Sequence, residues 1–550
     1  MARVLVVGAS GVFGSRLVEQ LALTGGHEIV LAGRDAGKAA RLLDMLRERK
    51  IAASFVALDR AGPDVAQLRS IAPDVVVDAA GPFQHGSLAL PKACIGAGVN
   101  YLDIADARDF VSSIRQLDAA ARAAKVCVLS GASSTPALSH AVIDKFTQGW
   151  LRRDAISVAI MPGNRTPRGL SVVQAILSYA GRPVRVFREG HWQEAAGWSL
   201  DETFSLPGLG TRHAALCDTP DLDLLTERYA PRIRAEFRGG LELGILHHGL
   251  RALSWLRSKG VLPFAERLAR PLRAIAESLD RFGTDAGGMV VEVTGRDAED
   301  RPARLCWSLV ARRGIGPNIP VLPALALVEQ LPSVAAGARP AAGEIDYDAI
   351  LNHLNRLGVE TQVTREEIGP PFQFQTALSE AWRRIPAITR AIHTVDPSII
   401  LEGEAEVEGA RTAIGRLIAK VFGFPEGAAH VPVRVVIEND GKGEHWARIY
   451  PTRTMRSYMT NADAALSTIE EHMGPFRFVL KLVGTEQGID LIPVRVSWHS
   501  LPLPLWLLPA VDATERASAD GRHLFDVRVS LRPFGLLVHY RGWLRPVSGA

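Results

Sequence analysis

The first 130 residues predict an α/β fold built on a doubly wound parallel sheet, and three observations carry that prediction. Short apolar runs recur at Val4–Val7, Glu28–Ala32, Ser54–Leu58, Val75–Ala79, Asn100–Ile104 and Val126–Leu129. Stretches of helical periodicity, such as Gly11–Leu23 and Ala36–Arg49, lie between them. The first run passes straight into a glycine-spaced turn, Gly8-Ala-Ser-Gly11-Val-Phe-Gly14. Alternating strands and helices imply parallel pairing with right-handed crossovers, and runs that are apolar on both faces imply strands covered on both sides.

The turn after the first strand names a ligand class. Gly8 permits a tight turn, Gly11 lets the backbone approach a pyrophosphate, and Gly14 lets the helix pack closely on the strand. Ala9, Ser10, Val12 and Phe13 complete the loop. The free N–H groups at the start of the helix then face the phosphates. This strand–turn–helix setting is the Rossmann arrangement, and it predicts a dinucleotide.

The second strand ends Leu31-Ala-Gly33-Arg34-Asp35. An acidic residue at this end would take a ribose 2′-hydroxyl. Gly33 and Arg34 stand there instead, and an arginine stacks on adenine and binds a 2′-phosphate in a bidentate way. The expected cofactor is therefore NADP rather than NAD, with Lys38 adding charge. Asp35 reads as the N-cap of the next helix. Asp59 closes the third strand and has two readings, a contact to the adenine amino group or a turn ahead of Gly62-Pro63. The fourth strand ends Asp78-Ala79-Ala80-Gly81, and these small residues leave room for ribose and nicotinamide at the sheet's C-terminal edge.

Taken together, Gly8-xx-Gly11-xx-Gly14, Ala32-Gly33-Arg34, Ala80-Gly81-Pro82-Phe83 and Ala93-Cys94-x-x-Ala97-Gly98-Val99-x-Tyr101-x-Asp103 resemble the saccharopine dehydrogenase-like (saccharopine reductase-type) oxidoreductases. The resemblance spans roughly residues 1–330 and implies an NADP-linked fold without naming a substrate. The later half resembles a domain of unknown function, 4166, through Trp446-Ala-Arg448, Ser500-Leu-Pro-Leu-Pro504 and Leu537-Val-His-Tyr540-Arg-Gly-Trp543.

Hydride transfer needs one proton moved near the nicotinamide. Asp103 and Tyr101, on the fifth strand, are the catalytic candidates, with Asp106 just beyond. Asp103 suits a general acid–base if burial raises its pKa, and a turn carboxylate otherwise. Tyr101 is equally readable as a core aromatic. After the sixth strand come Ser133-Ser-Thr135 and His140, with Thr135 read as a cap for a helix opening at Pro136. Arg165 and Arg168 are read as solvated, with a carboxylate clamp as the sharper alternative.

Residues 131–331 read as an α+β substrate or dimerisation domain that returns to the first core. Expected strands are Ile156–Met161, Val184–Arg188, Met289–Thr294 and Arg304–Val310, and expected helices are Ser171–Tyr179 and Ala324–Gln330. Within 241–282, leucines and Trp255 alternate with Arg251, Arg257, Lys259, Arg267, Arg270 and Arg273. This segment has two readings, a core-facing helix or one that lies on a membrane surface beside an apolar substrate. Residues 332–344 are rich in Ala, Gly and Pro and read as a linker. The C-terminal unit, 345–550, opens with a helix over Ala377–Ile385 and becomes β-rich after residue 400. It fits a curved sheet around an apolar ligand as well as an interaction module. Glu438, Trp446, Arg448, His499, His539, Tyr540 and Trp543 form no recognisable catalytic set.

A chain of 550 residues and net charge +4 has no basic concentration that suggests nucleic acid. Cys94, Cys127, Cys217 and Cys306 are widely spaced, so neither a metal site nor a disulfide framework is predicted. No signal-peptide pattern and no long uninterrupted apolar run occur, which fits a cytoplasmic protein. The stretch from Val496 to Val511 is interrupted by prolines. The reading is an NADP(H)-dependent oxidoreductase acting on a C=N, C=O or activated C=C bond of a small-molecule substrate, an apolar one among the options, with a homodimer and peripheral membrane contact among its expected associations. The alternative is a non-catalytic dinucleotide-binding protein that docks on a membrane or partner.

Overall fold

The computed structural model describes residues 2–547 apart from 85, 168, 263, 370–371, 500 and 503–509. Six strands open the chain in the expected order: β1 (Ala2–Val7), β2 (His27–Gly33), β3 (Ala53–Ala57), β4 (Val75–Asp78), β5 (Asn100–Asp103) and β6 (Cys127–Ser130). They pair in parallel in the order β6-β5-β4-β1-β2-β3. Helix α1 (Val12–Thr24) packs on one face and the helix Ala89–Ala97 on the other, burying Val4 and Val6 on the first face and Leu5 and Val7 on the second. Their alternation places Asp78, Tyr101 and Asp103 on the second face.

Residues 332–344 are not a linker. Gly337–Pro340 is a seventh parallel strand, paired with β6 at the sheet edge. Its Ala/Gly/Pro composition suits an edge, where Pro340 has no ladder bond to lose. The first unit also continues past 345. The helix Tyr347–Arg356 packs on Leu322–Gln330, and the strand Glu360–Glu367 pairs with Pro302–Ala311.

The insertion forms a second sheet around Arg152–Met161. It is mixed rather than antiparallel throughout, because Arg234–Gly239 runs parallel to Arg152–Met161. Segment 241–282 divides into the helices Gly244–Ser258 and Ala269–Ser278 with shorter turns. Ile245, Trp255, Val261, Phe264 and Phe282 project from it, each more than 60% exposed, so the core-facing reading fails for much of the segment. Arg257 is an exception among the bases: it is buried and donates to the carbonyls of Leu177 and Ala180.

The expected helix over 377–385 is broken into Gln373–Leu378 and a 3-10 turn ending at Arg383, ahead of Pro386. Beyond it, among the described residues, ten antiparallel strands close a barrel. They run from Phe476–Thr485 through Thr468–Met473, Thr454–Asp463, Glu444–Ile449, Ala428–Asn439, Ser398–Gly409, Gly535–Pro546, His523–Leu531 and Ala510–Ala517 to Gly488–Trp498, which pairs back to Phe476–Thr485. The barrel docks on the second sheet through a bidentate Arg456–Glu189 pair at 2.5 and 2.9 Å, an Arg234–Glu438 pair and a small cluster of Ile233, Ile400, Val436 and Ala447. Among the described residues no helix is long and apolar enough to cross a membrane.

Candidate active site

The site is built at the C-terminal edge of the parallel sheet, where the loops after β1, β4, β5 and β6 converge. Gly8 has φ +77°, and a Cβ there would lie 2.9 Å from backbone atoms of Ala80. A Cβ on Gly14 would come within 2.1 Å of the Gly8 carbonyl oxygen. Both glycines are therefore required by close approach, and α1 starts at Gly11 with no side chain capping it. Its first N–H groups are available to a ligand, as an anion site needs. Ser10 and Gly11 are exposed, Ala9 is buried beneath them, and Val12 and Phe13 are half-buried on the first helical turn.

Arg34 stands exposed after β2, beside half-buried Gly33. Asp35 caps the next helix through Gly37 N–H at 3.0 Å, so it does not compete for a ribose. Asp59 accepts from Ala61 N–H at 3.0 Å, the turn role of its two readings. Ala79 is buried, Ala80 half-buried and Gly81 exposed, forming a low rim next to Gly8.

Tyr101 does not reach this rim. It is fully buried, and its hydroxyl donates to Asp78 Oδ2 at 3.3 Å. Burial holds its pKa well above the phenol value. Its catalytic assignment is corrected on those grounds: it supports Asp78. Arg60 completes that set, with Nε 2.5 Å from Asp78 Oδ2 and its guanidinium 4.5 Å from the centre of the Phe83 ring. Burial raises the Asp78 carboxyl, and the Arg60 charge opposes that shift. Arg60 comes from the loop after β3, where no motif marks it.

Asp103 is also fully buried, so it does not touch the groove. Its Oδ1 accepts from Ala105 N–H, Gly131 N–H and Ser130 Oγ at 2.8–3.0 Å, tying together the loops after β5 and β6. Its Oδ2 is buried without a partner among the described residues. Burial pushes the carboxyl up to about 7, against the lowering effect of the three donors. These bonds make Asp103 a tie between the two loops. Asp106, three residues on, is the exposed carboxylate of this loop and accepts from Gln84 Nε2 at 3.4 Å.

The second domain brings Tyr179, Cys217 and Asp218 near Asp106, with Trp198 and Cys217 buried. Tyr179 is half-buried, close to the Cys217 thiol, which donates to the Ala215 carbonyl at 3.5 Å, and within electrostatic reach of Asp106 and Asp218. Burial keeps its hydroxyl protonated far above neutrality. Arg108 locks the two domains together. It lies 2.5 Å from Asp223 and 3.2 Å from Asp218, and donates to the Arg185 carbonyl at 2.7 Å.

Other expected residues fall elsewhere. Thr135 is not a cap: its Oγ1 is buried without a partner among the described residues. His140 is buried with Nε2 3.6 Å from Asp221 Oδ1. Arg165 donates to the carbonyls of Asp280 and Arg281 and so ties down a turn, while Arg168 lies outside the described residues. The fold also gathers Asp201, His247 and His248, a ligand-type group that wide sequence spacing concealed. Arg251 already stands 3.0 Å from Asp201 Oδ2, placing a cation there. Ser500–Pro504 falls largely outside the described residues.

Residues 4–129 match the model of the saccharopine dehydrogenase NADP binding domain. That decides the class. The chain is an NAD(P)-dependent oxidoreductase carrying a saccharopine dehydrogenase-type nucleotide domain. Residues 385–544 match a domain of unknown function, DUF4166. The chain is 22% identical over 387 residues to a Mycobacterium tuberculosis protein named "Putative trans-acting enoyl reductase", covering 66% of this chain and 90% of that protein. It is 31% identical over 106 residues to carboxyaminopropylagmatine dehydrogenase of a Synechocystis species, covering 19% and 26%. Among solved structures it is similar to saccharopine dehydrogenase (L-Glu forming) from Saccharomyces cerevisiae, at 12% identity and TM-score 0.49, covering 66% of this chain and 100% of that one.

Proposed function

We propose that this oxidoreductase uses NADPH to reduce an activated C=C bond in an apolar substrate. The observation that carries the cofactor reading is the exposed Arg34 at the end of β2, beside a neutral Gly33 and with Asp35 occupied as a cap. Gly8 to Gly14 would hold the pyrophosphate, Arg34 the 2′-phosphate, and Ala79, Ala80 and Gly81 the nicotinamide side. When bound, the dinucleotide supplies a hydride to the electrophilic carbon. The chain supplies the rest. In this reading Tyr179, near Asp106 and Asp218, delivers a proton to the neighbouring carbon, and Asp103 holds the two loops that shape the floor. A double bond is preferred to C=N because the relative matched over 66% of this chain and 90% of its own length is named an enoyl reductase.

An apolar substrate also suits the exposed Trp255, Phe264 and Phe282, which have Lys259, Arg267, Arg270 and Arg281 around them. Aromatic side chains beside exposed bases favour contact with an anionic membrane surface. The test is NADPH consumption by the purified chain offered long-chain enoyl thioesters, ketones, and amine–oxoacid pairs in parallel. Turnover with the enoyl thioesters, reduced at least about tenfold in Tyr179→Phe, is expected. Turnover confined to amine–oxoacid pairs would contradict the reading.

A further inference from the structure

The barrel encloses a cavity of about 500 Å³, within the usual range for a bound small molecule. An eight-stranded barrel is just wide enough for its own side chains to fill, and ten strands make a wider one. Most of the wall is aliphatic or aromatic, including Val435, Phe478, Leu480, Ala513 and Val527.

The two ends of this cavity differ. Along the paired strands Ala510–Ala517, His523–Leu531 and Gly535–Pro546, Glu515 and His523 lie toward one end, and Val511, Val529 and Val538 toward the other. The first end is closed by the segment 373–393, where Phe374 stacks on His393 at 3.7 Å and His393 reaches Glu515 at 2.6 Å. The second end carries the helix Ala413–Val421. Its Leu417 and Val421 line the cavity and yet are 63% and 70% exposed. They mark a mouth.

The polar inventory inside selects the ligand. Arg448 is taken up by Glu471 at 3.4 Å and Ser457 at 2.9 Å, and Glu515 adds a second carboxylate. Arg448 is thus paired with Glu471, and Glu515 with His393, so a free carboxylate would find no spare cation among the described residues of the wall. His523 is 98% buried, and its Nε2 faces Glu515 at 3.6 Å. Its Nδ1 is buried without a partner among the described residues. With Nε2 carrying the proton toward Glu515, Nδ1 is an acceptor that lacks a donor. Leaving it so costs free energy that a ligand hydroxyl would recover.

We infer that the barrel is a binding site for a neutral apolar molecule bearing a hydroxyl group, its chain toward Leu417 and Val421 and its hydroxyl toward the polar end lined by Glu515 and His523. The site lies in a different domain from the nucleotide groove and stands independently of the proposed reaction.

The test uses the intact chain with Nile red as a neutral fluorescent reporter, displaced by dodecan-1-ol or by dodecanoate at pH 8. Saturable binding of one reporter per chain is expected. The alcohol should displace it at a concentration about tenfold lower than the carboxylate. Ala513→Phe and, on a separate wall, Val435→Phe should each abolish reporter binding while the far-UV circular dichroism and the melting profile of the barrel stay those of the parent. His523→Leu should keep reporter binding and lose the preference for the alcohol. Absence of saturable binding, equal displacement by alcohol and carboxylate, or full binding by both filled variants would overturn the inference.

Discussion

Asp78 and Asp103 lie side by side on adjacent parallel strands, and the fold treats the two carboxylates differently. Asp78 shares a face with Arg60 and Tyr101 and is fully paired. Asp103 uses one oxygen for three donors and leaves the other without a partner among the described residues. Two ionised groups in such proximity would repel, so a neutral Asp103 beside a charged Asp78 is the lower-energy arrangement.

This predicts an inverted pH dependence at Asp103. Its folded pKa is raised from 3.8 to about 7. Below the unfolded value the carboxyl is neutral in both states and costs nothing. Between pH 4 and 7 the unfolded chain ionises first, so stability falls as pH rises, and above 7 the penalty is constant. Asp103→Asn keeps an Oδ1 acceptor and removes the penalty. It should be more stable than the parent by roughly 2–4 kcal/mol above pH 7 and close to it at pH 4. Thermal melts across that range measure the difference.

Removing Arg60 should cost more than removing the pair. Arg60→Met leaves Asp78 buried beside Asp103 with no cation and should destabilise the first domain by about 3–5 kcal/mol. The double variant Arg60→Met, Asp78→Asn should recover most of that loss. Urea unfolding followed in the two variants and the parent compares them.

Gly14→Ala should abolish dinucleotide binding without unfolding the barrel. The added methyl meets the Gly8 carbonyl at 2.1 Å, so α1 must move off the turn that would face the phosphates. An affinity loss of at least about a hundredfold is expected, equal to roughly 2.7 kcal/mol. Calorimetric titration with NADPH checks it.

Trp255→Ser combined with Phe264→Ser should reduce co-sedimentation with vesicles rich in phosphatidylserine and leave NADPH binding unchanged. Both side chains are over 60% exposed and support no core, so thermal stability should change by less than about 0.5 kcal/mol.

How much of this was legible follows from which forces act locally. The strands β1–β6 announce themselves because double-sided burial demands continuous Val and Leu, and Gly8 and Gly14 announce the turn because backbone closeness demands glycine. Gly337–Pro340 was hidden: an edge strand needs little apolar surface, and its composition imitates a linker. Tyr101 and Asp103 were found at the right sheet edge, but the sequence could not show which side of the strand end opens to the groove. Arg60, Tyr179 and the His140–Asp221 pair come from segments brought together only by tertiary packing. The C-terminal unit was readable as β-rich after residue 400, whereas closure depends on pairing Phe476–Thr485 with Gly488–Trp498 and so on register around the whole ring.

In the proposed function NADPH binds in the groove after β1 and β2 through Arg34. The most direct measurement is calorimetric titration of the purified chain and of Arg34→Asp with NADPH and NADH. The account predicts tighter binding of NADPH by the parent, a loss of about tenfold to a hundredfold in the variant, and little change for NADH. Equal affinity for both dinucleotides, unaltered by the substitution, would contradict it.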